Sequence, residues 1–145
     1  MSIIRTDEQA DAQEILRLTI KTADFYREMG ESLSKDNVNH RLFEIADMRE
    51  SFIAPLQQIV RALHEYPTAP DADKEFVDEL RGKVTKLFST DSKNAIFDKC
   101  LEQDEALAEL INTTILRSKS TEFKQLLDSL NEHLLNTKTK LKAAY

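Results

Sequence analysis

The chain has 145 residues, enough for one domain with a sizeable core. Hydrophobic residues make up 41% and charged residues 32%, with only two glycines and three prolines, so long helices are expected rather than many short strands. A formal charge of −6 argues against nucleic-acid binding and against a membrane surface, and the single cysteine, Cys100, allows no internal disulfide.

The stretch Met1–Glu8 carries no apolar signal core, and no apolar run approaches the roughly 20 residues of a membrane span. A cytoplasmic protein is the expectation. The whole of 1–145 reads as a single domain, with helices at about 7–33, 37–66, 71–88, 91–117 and 121–143.

The first helix begins at Thr6 or Asp7, which can cap it, and carries acids in its first turn. Its seam is Ile15, Leu18, Thr19, Thr22, Tyr26, Met29 and Leu33, in steps of three and four. Ser34–Asn37 is the expected turn. The second helix, with Leu42, Ile45, Arg49, Phe52, Leu56, Ile59 and Leu63 on its seam, contains Pro55, which removes a backbone donor and predicts a kink. Pro67 and Pro70 stop it. A shorter helix over 71–88 carries Phe76, Leu80, Val84 and Leu87 and falls between the two long pairs, as a crossover would.

The third long helix starts at the cap-forming run Ser89–Ser92 and shows Phe97, Cys100, Asp104, Leu107, Ile111 and Thr114 on one face. Ser118–Ser120 is short, so the last helix should return antiparallel. Its seam is Phe123, Leu127, Leu130, Leu134, Thr137 and Leu141, and Lys138, Lys140 and Lys142 suit its C-terminal dipole. The fold class expected is all-α, a four-helix bundle with a short crossover helix.

Polar residues interrupt these seams. Arg49 and Asp104 do so with full charges, which are costly to bury unless paired. Three readings are open. The seam flares and both reach solvent, they meet as an ion pair, or they form part of a functional site. Thr19 and Thr22 read as packing positions that bond back to their own backbone, and Tyr26 as a core residue whose hydroxyl finds one partner. Arg49, Asp104, Thr19, Thr22 and Tyr26 together make the candidate buried polar site.

Cys100 faces inward and reads as a small apolar residue, since only Lys99 adjoins it to lower its pKa. His40, His64 and His133 are expected on a solvated face or rim. The residues three before them are Asn37, Arg61 and Leu130, so the Glu-x-x-His spacing of a di-iron bundle is absent. No zinc spacing, Gly-rich loop or nucleophile elbow occurs, and no cofactor is expected. Glu105 and Glu109 lie one turn apart, as on a solvated face.

The stretch Asp91–Ala106, with Ile96, Phe97, Cys100, Asp104 and Glu105, resembles the third helix of a bacterial four-helix-bundle family known as domain of unknown function 2383. Phe43–Leu56, with Ile45, Asp47, Met48, Arg49 and Phe52, resembles its second helix, and the likeness runs from about Ile15 to Leu141. That resemblance implies a ferritin-like, up-down fold within the superfamily of rubrerythrin-like di-iron proteins, and implies no known activity. Aligned by the seams, Thr19 falls near the place of the first metal-binding glutamate. Arg49 and Phe52 fall near the second helix's Glu-x-x-His, and Asp104 near the third glutamate. Leu130 and His133 do not restore the fourth helix's motif.

The function expected is therefore non-enzymatic, with the di-iron site lost, acting through a homodimer or a protein partner. Ile20, Leu110 and Leu116, apolar but off the seams, would mark an association face. The alternatives are a divergent metal-carboxylate protein using Asp104, Glu105, Glu132 and His133, and a small-molecule binder with Thr19, Thr22, Tyr26, Arg49 and Asp104 lining a cavity.

Overall fold

A computed structural model describes residues 6–32, 39–67 and 93–143, which are helical with no strand among them. The helices are α1 (Asp7–Ser32), α2 (Asn39–Glu50), α3 (Ile53–Ala62), α4 (Lys93–Thr113) and α5 (Thr121–Ala143), with a 3-10 turn at Ile115–Ser118. The helix expected at 71–88, the turn at Ser34–Asn37 and the caps at Ser89–Ser92 lie outside the described residues.

Thr6 starts α1 with a reciprocal cap. Its Oγ1 accepts from Gln9 N at 3.2 Å, and Gln9 Oε1 accepts from Thr6 N at 2.9 Å. The Gln9 amide also donates to Leu63 O at 2.8 Å, which ties the start of α1 to the end of α3.

The expected continuous helix over 37–66 is instead two helices. Pro55 has no N–H to offer the carbonyl of Ser51, and the chain tightens just before it: Phe52 N donates to Arg49 O at 3.1 Å. The helix expected to run to residue 117 also ends earlier. Thr114 takes an extended conformation, with φ −70° and ψ 143°, and its side chain accepts from Leu116 N to start the 3-10 turn. Ser120 Oγ then caps α5 through Phe123 N.

Side-chain contacts fix the chain directions. Gly30 meets Phe43, and Arg27 binds Asp47 and Glu50, while Gln9 reaches Leu63, so α1 runs antiparallel to α2 and α3. Thr114 donates to Asp11, and Tyr26 to Asp104, so α1 is antiparallel to α4 as well. It follows that α2, α3 and α4 share one direction, and α4 starts at the opposite end of the bundle from where α3 stops. Arg117 pairs with Asp128 beside the return into α5.

The core divides in two. One apolar cluster includes Ile15, Leu16, Leu56, Val60, Leu107, Ile111 and Leu127; the other includes Phe25, Met29, Leu42, Ile96, Phe97 and Leu141. Between them lies a layer of buried Thr19, Thr22, Arg49, Asp104 and Thr137. Helix α1 packs against α2, α3, α4 and the 3-10 turn, which buries more of its circumference than a single seam. Ile20 and Leu116 are accordingly core residues, 3% and 1% exposed, and Leu110 packs partly buried against the same cluster. The association face expected from those three does not exist. Among the described residues, the large apolar side chains that do face outward are Met48, Tyr66, Ile115 and Leu135.

Candidate functional site

Arg49 stands in the last turn of α2, where a cation complements the helix dipole. Its side chain is fully buried, and it faces Asp104 at the middle of α4. The two charges interlock as fork on fork. Arg49 Nη1 donates to Asp104 Oδ1 at 2.5 Å and Nη2 to Oδ2 at 3.0 Å. From α1, the Tyr26 hydroxyl donates to Asp104 Oδ2 at 2.6 Å, and the Arg49 Cζ lies 5.0 Å from the Tyr26 ring centre.

A guanidinium has five N–H donors, and one carboxylate cannot satisfy them all. A third, on Nε, donates to His133 Nε2 on α5 at 3.1 Å. His133 therefore carries its own proton on Nδ1. Its ring stacks on Phe52, centroids 5.6 Å apart, and Thr137 Oγ1 bonds back to the His133 carbonyl at 2.9 Å. Four helices thus meet at one charge pair.

Burial works against each ionisation here. It pulls the His133 imidazole down to about 3, with Arg49 and Lys140 adding to the effect. It pushes the Tyr26 phenol and the Cys100 thiol well up, and the Asp104 charge pushes them further. Burial alone would also pull Arg49 down, but the Asp104 carboxylate and its hydrogen bonds hold it above its ordinary value. Near neutral pH the Tyr26 and Cys100 protons stay on, and the His133 lone pair is already engaged. The cluster offers no free base and no nucleophile.

Of the five residues singled out from sequence, Arg49, Asp104 and Tyr26 come together. Thr19 and Thr22 do not join them: Thr19 Oγ1 donates to Ile15 O at 2.8 Å and Thr22 Oγ1 to Thr19 O at 3.2 Å, both within α1. Where the small-molecule alternative has a cavity, Arg49, Asp104 and Tyr26 are hydrogen-bonded to one another. His133 adds to the sequence reading: it is half-buried at the rim of an open cleft, and its Nε2 joins the network. Arginine's surplus donor was the signal for it, since a second acceptor had to come from a facing seam. His133 lies three residues after the seam position Leu130.

A di-metal centre needs several carboxylates with histidine beside them. This layer brings one carboxylate, with both oxygens engaged by Arg49 and Tyr26, while Glu105 and Glu132 are exposed. Among the described residues no three His, Cys, Asp or Glu side chains converge as metal ligands. The residues present do not fit the group that the family resemblance implies. Nor is any described helix long and apolar enough to cross a membrane. Comparison of the chain with protein-family models, with curated proteins and with solved structures gives no match in any of the three.

Proposed function

We propose that this chain is a ferritin-like bundle in which a guanidinium has taken the place of a metal centre, and that it acts without catalysis, by association with itself or with a protein partner. The observation that carries the reading is the buried Arg49 fork on Asp104. A fixed cation in the middle of the bundle repels a divalent metal and uses the carboxylate such a metal would need. The chain directions support the ferritin-like part, because parallel α3 and α4 call for a connection that crosses the length of the bundle. Leu135, 58% exposed beside the groove between α4 and α5, supports an association surface.

Elemental analysis of the purified protein, together with light scattering on the eluting peak, tests both parts. The expected result is no stoichiometric iron, manganese or zinc, and a mass above that of one chain or a co-purifying partner. Stoichiometric metal would overturn the first part. A strict monomer at high concentration, with no partner retained, would overturn the second.

A further inference from the structure

The closed network leaves one donor facing outward. No described residue accepts a hydrogen bond from His133 Nδ1, and the atom is not sealed from solvent. His133 is one of the residues that line an open cleft of about 500 Å³ between α2 and α5. Arg49 donates to the opposite side of the ring, which polarises the outward N–H and strengthens it as a donor.

The two walls of this cleft carry opposite charge. On the α5 side Lys140 stands one helical step beyond Thr137, and no described carboxylate lies within ion-pair distance of its ammonium. On the α2 side stand Glu44, without an ion-pair partner among the described residues, and Asp47, held by Arg27 at 2.7 Å. Buried Ile45 and exposed Met48 supply apolar surface between them.

A ligand with charge of one sign would meet repulsion from one wall. A neutral apolar ligand would leave the His133 donor and both charges unused. We infer that the α2–α5 cleft binds a small zwitterion with an apolar side chain, of the amino-acid class, its carboxylate toward His133 Nδ1 and Lys140 and its ammonium toward Glu44. The inference does not depend on the bundle being ferritin-like, since it uses only the walls of this cleft.

The test is a nitrogen–proton correlation NMR titration of the full chain with three probes. L-Leucine carries both charges, isocaproate has the same skeleton without the ammonium, and isoamylamine lacks the carboxylate. L-Leucine is expected to give saturable shifts at Ile45, Met48, His133 and Lys140, with the two truncated probes at least about tenfold weaker. Lys140→Ala and Glu44→Gln should each weaken L-leucine by about tenfold. Both side chains are exposed, so thermal unfolding should report the same stability for both variants as for the parent. Equal binding of all three probes, shifts that never saturate, or unchanged L-leucine binding in Lys140→Ala would each overturn the inference.

Discussion

Arg49 loses all its water on folding, and the attraction of Asp104, with the Nε bond to His133, stands against that loss. Removing one partner should therefore cost far more than the pair contributes. Asp104→Ala leaves a buried guanidinium without its carboxylate, and a loss of about 3–5 kcal/mol in urea-unfolding stability is expected. A loss near 1 kcal/mol would mean that water reaches Arg49. Tyr26→Phe removes one charge-assisted hydrogen bond and should cost less, about 1.5–3 kcal/mol. His133 adds a pH dependence. Its imidazole titrates near 3 in the folded chain, lowered from 6.5 by burial, Arg49 and Lys140. Between those values the unfolded chain binds a proton there that the folded chain does not. Stability from this group is therefore complete above pH 6.5 and is lost as pH falls toward 3. Glutamine at this position could still accept from Arg49 and does not titrate. Stability measured against pH should fall less steeply over that window in His133→Gln, and identical slopes would remove His133 from the explanation.

At the scale of the element, the end of α3 shows how local chemistry is settled by a neighbouring helix. His64 has φ 63°, in the left-handed region, where a β-carbon is strained. Its N–H donates to Arg61 O at 2.9 Å, and Glu65 N donates to Val60 O at 3.1 Å, closing the helix in a Schellman motif. Gln9 and Gln13 of α1 then take the Leu63 and Tyr66 carbonyls, which holds the turn in place. Glycine removes the strain without losing those backbone bonds. His64→Gly should add about 1 kcal/mol of stability, read as a higher urea midpoint at an unchanged denaturant slope; a destabilised variant would show that the imidazole itself contributes. Gly30 has a different role. A β-carbon there would lie 2.9 Å from Phe43 Cε1, so the glycine lets α1 and α2 approach. Alanine's helix preference, about 1 kcal/mol, is therefore set against displacement of a ring. Gly30→Ala should stabilise the protein more in a Phe43→Leu background than in the native one, a difference that a double-mutant cycle in urea reads directly.

At the scale of the whole molecule, the helix seams were legible in the sequence because burial repeats with the helical period. Phe97, Cys100, Asp104, Leu107, Ile111 and Thr114 are all buried, as their spacing predicts. Ile20 and Leu116 were not legible, because burial off the seam depends on how many neighbours a helix has, and no single helix carries that information. Pro55 announced a disturbance, but the separation into α2 and α3 rests on Phe52 N finding the Arg49 carbonyl. His133 needed the rotation of α5 about its axis, which only the assembled bundle fixes. The polar layer between the two apolar clusters raises a last question, whether it adds stability or sets register. Apolar replacement of a buried pair commonly leaves stability unchanged or raises it by about 1–4 kcal/mol. A triple variant, Arg49→Met, Asp104→Leu and Tyr26→Phe, removes the charges and the hydroxyl together, and leaves His133 open to water from the α2–α5 cleft. It should equal or exceed the parent in urea stability, in contrast to the single Asp104→Ala loss. With both charges gone, only Thr19, Thr22 and Thr137 interrupt the apolar packing between the two clusters, and α5 can slide by a turn without stranding a charge. The nitrogen–proton spectrum should then broaden, and amide exchange along α5 should quicken, despite the higher midpoint. A sharp spectrum with slow exchange would mean that packing alone sets the register. A large loss of stability would mean that the ion pair itself holds the bundle together.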